Sequence, residues 1–266
     1  MNRRAFGKRV SILSIGAGAA VVAPAAQAMR APLFAPGTMW PSWLVRACYN
    51  EDFLGVPQRF PSYKMASLVL PAPPERLALY RSMLPKQLDM PAVPLLYISA
   101  LGPGDFEVAV SIRASFKGDR KTDPRSGGWY PLTMGVTADS ALQGGLLLGY
   151  PKYKAEITGD ISLASAHVVV KKQGVEQLGL RWAPESEPVA ESSPELDPFY
   201  VLRDGLVNIM ETKVRRLDTR EQRNGVMTVS CSAQEPWAEL IKGMTLQGTG
   251  SVVSTTGQFD LTRRSR

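Results

Sequence analysis

Polar and apolar residues alternate over many short stretches of this chain, and few stretches repeat apolar residues at helical spacing. Residues 65–70 read as a first strand. Pro73, Pro74 and Glu75 then open a short helix, with Leu77, Tyr80 and Leu84 on one face and Pro85 as its stop. Further strands are expected at 95–100, 105–114, 130–137, 155–158, 163–171 and 176–182. Residues 183–198 hold Pro, Glu and Ser with few apolar side chains and predict a long surface loop. Beyond it, 199–210, 212–218, 226–231 and 245–261 read as extended, and 236–244 as one more short helix. Many short strands with few helices predict a mostly β (α+β) chain, built as a sandwich or a barrel. No internal repeat and no clean linker divides it. A single domain is therefore expected over 63–266, preceded at 29–62 by an irregular arm rich in Pro, Trp and Arg.

One strand carries more than its own pattern. Phe106, Val108, Val110 and Ile112 fall on one face, and Glu107, Ala109 and Ser111 on the other. Two readings stand. If the second face points into a barrel, its small residues leave room for a ligand beside the Glu107 carboxylate. If the strand is half-buried, Glu107 lies in water, and the pattern alone favours this second reading.

The first 28 residues fall outside the fold argument. Arg3, Arg4, Lys8 and Arg9 precede a short apolar stretch from Val10 to Val22, and Ala26-Gln27-Ala28 closes it. This is the form of a bacterial export signal cut after Ala28, and the paired arginines are the form read by the twin-arginine export machinery. The apolar run is too short and too rich in Gly and Ala for a stable membrane span. A periplasmic or secreted product is expected. The signal holds four cations and no acid, so its removal takes the formal charge from +7 to +3. No basic run with interleaved aromatics remains, and nucleic acid is not an expected partner.

Candidate chemistry is narrow. His167 is the only histidine, and it lies in a stretch that reads as a strand, so a Ser-His-Asp triad or a His/Cys zinc site lacks parts. No Walker-A loop occurs, the Gly-Ala-Gly-Ala near residue 16 belongs to the signal, and neither a metal nor a cofactor is expected. Cys48 and Cys231 lie far apart: they either pair in an oxidising compartment or remain two buried thiols. The work is left to Lys, Glu, Arg and Tyr.

The segment Gly144-Gly145-Leu146-Leu147-Leu148-Gly149-Tyr150-Pro151-Lys152-Tyr153-Lys154 delivers a lysine after a Gly-rich turn, an apolar run and a proline. A lysine nucleophile must be neutral, whereas an ordinary lysine keeps its proton to about pH 10.4. Apolar surroundings disfavour the ammonium, and three leucines are consistent with that setting. On the residues alone, a solvated turn lysine is the commoner reading. The segment resembles the signature of the acetoacetate decarboxylase family, in which a Gly-Arg-Glu-led apolar stretch ends in aromatic-Pro-Lys-Lys. Other parts are similar in the same order: Leu84-Pro85-Lys86-Gln87-Leu88, the strand from Phe106-Glu107 to Lys117-Gly118, Pro198 to Arg203, and Pro236-Trp237. The likeness runs from about residue 60 to 262. The chain departs from the pattern at Gly145-Leu146, where the family has Arg-Glu, and at Tyr153, where it has a second lysine. Tyr97-Ile98-Ser99 stands where a further family carboxylate is expected, and Arg59 and Lys64 are the cations near the family's N-terminal arginine.

The resemblance implies a closed or partly closed antiparallel β-barrel with a few short helices, assembled as a homo-oligomer. It implies decarboxylation of a small β-keto acid through a Schiff base on Lys152, with Glu107 positioning substrate or moving a proton. Tyr150 or Tyr153 would serve as a hydroxyl donor in the substrate site, and a cation, Arg59 or its neighbour Lys64, would meet the substrate carboxylate. Two alternatives remain open: an aldolase-dehydratase using the same lysine, and a non-catalytic small-molecule-binding barrel.

Overall fold

A computed structural model describes residues 58–265 apart from 103, 119–126, 186–188, 191–196, 204, 223–224 and 243–245. The expected signal, most of the N-terminal arm and Cys48 lie outside these residues. Fourteen strands alternate with little else. They are β1 (Gln58–Pro71), β2 (Leu88–Asp89), β3 (Leu95–Gly102), β4 (Glu107–Phe116), β5 (Gly128–Val136), β6 (Lys152–Lys154) and β7 (Glu156–Ile161). The second half holds β8 (Ala166–Lys172), β9 (Val175–Pro184), β10 (Val189–Ala190), β11 (Phe199–Arg203), β12 (Leu206–Gln222), β13 (Gly225–Cys231) and β14 (Leu246–Ser265). Two α-helices, α1 (Leu77–Ser82) and α2 (Asp139–Leu148), and two 3-10 turns, Pro74–Arg76 and Pro236–Leu240, complete the described chain. No described helix is long and apolar enough to cross a membrane.

The strands form one sheet in the order β10-β12-β11-β5-β4-β3-β1-β14-β13-β9-β8-β7, with β2 added on β4 and β6 on β5. Alternation decides which face is which. Ala66, Leu68, Leu96, Ile98, Ala100, Val108, Val110 and Ile112 line one face of β1, β3 and β4 and are almost fully buried. They join Ile157, Ile161, Val168, Val170, Leu178, Leu180, Met227 and Val229 of β7, β8, β9 and β13 in one apolar cluster, closed by Trp237, Leu240 and Ile241. The two halves of the sheet thus bury this face between them, which leaves the opposite face of β1, β3, β4 and β5 for other work.

Three expectations need correction. No sheet closes into a barrel. β12 pairs along β14 as well as with β11, but β11 meets β5 through one residue pair, Phe199 with Trp129. The edge of β5 is divided, because β6 takes Met134–Val136 of it, so no continuous ladder forms there. Second, the Gly-rich turn before Lys152 is a helix: α2 runs through Gly144 and Gly145 despite their poor helix propensity. Third, β1 begins inside the predicted arm and the short β10 inside the predicted loop, each held by cross-strand pairing with β14 or β12.

Buried phenols make the fold sensitive to alkali. Tyr80 ties α1 to the sheet by donating to the backbone carbonyls of Arg113 at 2.5 Å and Leu95 at 3.1 Å, and burial pushes its phenol well up. Burial also raises Tyr97, Tyr130 and Tyr153, the last to about 12. Between the ordinary tyrosine value of 10.0 and these raised values, the unfolded chain loses protons that the folded chain retains. Stability is therefore expected to fall as pH rises above about 10. A thermal midpoint unchanged between about pH 8 and pH 11 would contradict this.

Candidate active site

The free face of the sheet is polar, small-residued and interior. Registers across five strands put Ser67, Ser99, Ala109, Met134 and Lys152 in one row. The next positions along β4 bring Glu107 to one side and Ser111 to the other. Ala109 and Ser111 are 3 % and 0 % exposed, which overturns the half-buried reading of this strand. Small polar side chains mimic a solvent face in sequence, because an interior site needs small side chains for the same strand positions.

Lys152 reaches this face through a specific local structure. α2 ends at Gly149, which takes the left-handed conformation with φ 93°. The Gly149 N–H donates to the Leu146 carbonyl and the Tyr150 N–H to the Gly145 carbonyl, a paired helix stop that fixes the exit direction. A side chain at Gly149 would press on Arg203 Cβ and the Leu202 carbonyl, each 3.2 Å from the added atom. Pro151 then restricts the backbone, and its carbonyl accepts from the Met134 N–H at 3.1 Å, registering β6 on β5.

Here the Lys152 ammonium donates to Glu107 Oε2 at 2.5 Å. The lysine side chain is 11 % exposed and the glutamate 27 %, so the pair is sheltered, with the carboxylate the more exposed of the two. Lys152 Nζ also lies 5.7 Å from the centre of the Tyr150 ring, which meets Phe199 edge-on at 6.0 Å. Tyr97 shares the face: burial raises its phenol, and the charges of Asp197 and Glu107 add to that against hydrogen bonds with Ser99 and Ser67. Farther along, Arg113 is held by Asp197 at 2.5 Å and lies 4.9 Å over Trp129, which itself stacks on Tyr97 at 4.9 Å.

Of the residues expected from sequence, Lys152, Glu107 and Tyr150 come together. Tyr153 does not. Its neighbour Lys152 takes the site face, so strand alternation turns Tyr153 to the other face, where Lys172 lies 5.2 Å over its ring and Thr133 hydrogen-bonds it. Arg59 lies in β1 opposite Gln258, and its side chain is outside the described part. Ser67, Ser99 and Met134 were missed as wall residues; the period-2 pattern of β3 and β5 was their only signal. Among the described residues no group of three or more His, Cys, Asp or Glu is placed to hold a metal ion.

Known structures share this architecture. One is the enduracididine biosynthesis enzyme MppR complexed with the condensation product of pyruvate and imidazole 4-carboxaldehyde. It has a TM-score of 0.57 and 12% identity, over 77% of this chain and 87% of that one. An acetoacetate decarboxylase-like enzyme from Sphingomonas wittichii RW1 has a TM-score of 0.55 and 16% identity over 77% and 91%. Acetoacetate decarboxylase from Legionella pneumophila gives 0.56 and 12% over 79% and 87%. These likenesses show a shared β-rich fold. No curated protein matches the sequence. The family model described as acetoacetate decarboxylase (ADC) matches residues 57–241, and the chain belongs to that family of enzymes.

Proposed function

We propose that this protein decarboxylates a small β-keto acid through a Schiff base on Lys152. The observation that carries the reading is the 2.5 Å contact between Lys152 Nζ and Glu107 Oε2 on a sheltered interior face. An ammonium is not a nucleophile, and Glu107 is the group within reach to take its proton. The neutral amine attacks the ketone carbon, the N–C bond forms, and water leaves to give an iminium. The bond to the neighbouring carboxylate then breaks. Its electron pair flows into the iminium as carbon dioxide departs, leaving an enamine. Glu107, whose first proton has left with the departing water, takes another from solvent and gives it to the enamine carbon, and water hydrolyses the new iminium to release ketone and free lysine. Tyr150 packs beside the amine and limits water at the reacting centre.

A second reading has its own support. The same enamine can attack an aldehyde instead of a proton, and a structural neighbour was captured with a condensation product of pyruvate and an aldehyde. The change from Arg-Glu to Gly145-Leu146 beside the lysine also sets this chain apart from the decarboxylase signature.

The test is to incubate the protein with acetoacetate, follow carbon dioxide, and trap the imine with borohydride for mass spectrometry. Carbon dioxide release with an adduct on Lys152 supports the decarboxylase. An adduct without carbon dioxide, together with aldol product from pyruvate and an aldehyde, moves the reading to the second branch. No adduct with a panel of ketones and keto acids rejects both and leaves the binding protein.

A further inference from the structure

We propose that the Tyr97 hydroxyl, lying over the pair of Ser67 and Ser99, receives the carboxylate of the keto-acid substrate. The inference rests on the reading of Lys152 as the Schiff-base residue. Tyr97 is rooted in β3, opposite Val69 of β1 and Ser111 of β4. Ser67 and Ser99 form the next pair on the same face, and Met65 and Leu101 the pair beyond it, level with Glu107. The phenol donates to Met65 Sδ at 3.8 Å and hydrogen-bonds with Ser67 and Ser99. The ring therefore runs over the serine pair toward the row of Glu107, and it stacks on Trp129 at 4.9 Å. Tyr97, Ser67 and Ser99 are each partly exposed, whereas Ala109 beside them is buried.

Several features fit this hydroxyl to a carboxylate. A thioether sulfur is a weak acceptor, so a carboxylate oxygen takes the phenol hydrogen from it at small cost. Burial raises the phenol, which therefore keeps that hydrogen at neutral pH. The strand β3 adjoins β4, from which Glu107 meets Lys152 Nζ, and neighbouring strands lie about 4.8 Å apart. A β-keto acid held as an imine carries its carboxylate one methylene beyond the attacked carbon. Directed across β4, it passes over the small side chain of Ala109, which is paired with Ser99. Nearby described cations are placed otherwise. Lys64 falls on the core face with Ala66 and Leu68, and Arg113 lies about 20 Å along β4 from Glu107, in an ion pair with Asp197. A neutral donor also suits the chemistry. Decarboxylation drains charge from the carboxylate, so a cation there would hold the ground state more tightly than the transition state. These hydroxyls stand where the family pattern has a carboxylate, so the site they form is particular to this chain.

The experiment traps imines with borohydride in wild type and Tyr97→Phe, using acetoacetate and, in parallel, acetone, which lacks the carboxylate. Phenylalanine keeps a ring against Trp129 and removes only the hydroxyl. The acetoacetate concentration for half-maximal trapping should rise about tenfold to hundredfold, the scale of one hydrogen bond to a charged group. Acetone should trap within about twofold of wild type, because it offers the hydroxyl no charge. Ser99→Ala should shift acetoacetate in the same direction by a smaller factor, and thermal midpoints report whether each variant is folded. Equal weakening for both ketones overturns the inference, since the hydroxyl would then act on the amine or the fold. An unchanged acetoacetate response in Tyr97→Phe also overturns it and leaves the Schiff-base reading intact. If wild type traps neither ketone, the reading of Lys152 fails and this inference fails with it.

Discussion

Lys152→Ala is expected to abolish the borohydride-trapped adduct and to lower turnover by on the order of 10⁴ or more, the scale of losing a covalent nucleophile. The fold should survive the change. The Lys152 stem is removed from an already polar face and not from the apolar cluster between the sheet halves. Its partner Glu107 is 27 % exposed, so water can solvate the carboxylate left behind. The cost of that orphaned group is about 1–3 kcal/mol, less than the several kcal/mol that hold a domain folded. Intact melting with loss of the adduct is therefore the expected pair of results. Turnover persisting in Lys152→Ala would mean that carbon dioxide release does not pass through an imine on this residue.

Glu107→Gln should separate attack from proton movement. Glutamine keeps an oxygen that accepts from Lys152 at the same place, so the side chain stays in register on β4. It removes the negative charge and the ability to take up and return a proton. Turnover is expected to fall by about 10²–10⁴, the usual contribution of a positioned acid or base, and the covalent adduct on Lys152 should form more slowly with it. An adduct formed at the wild-type rate would limit Glu107 to the later return of a proton. Unchanged turnover would remove it from the mechanism.

These predictions rest on residues of unequal legibility. Lys152 was visible because a proline and a short motif mark it locally. Glu107 was visible as a carboxylate on a strand face of small residues, yet its surroundings were not. Ala109 and Ser111 have the composition of a wetted face, and only burial on both sides of β4 shows that they are interior. Tyr153 failed for a simpler reason: adjacent residues on a strand point to opposite faces, so a motif that lists them together does not place them together. The helix α2 was hidden by Gly144 and Gly145, which read as a turn. A Cβ on Gly145 would meet the side chain of Lys152 in β6, a contact that the glycine pair itself does not announce.

The sequence by itself determined the β-rich class, the period-2 faces of β4, and the two residues on which the proposed chemistry depends. These follow from local rules, because alternation and turn residues act over a few positions. Tertiary structure decided the rest: which face became core and which became site, and where the sheet failed to close. Each of these turns on strands distant in the chain. Glu107 and Lys152 meet only because β6 takes the edge of β5, and β5 in turn pairs with β4. That choice of neighbours is set by the free energy of burying whole faces together, which no single segment carries.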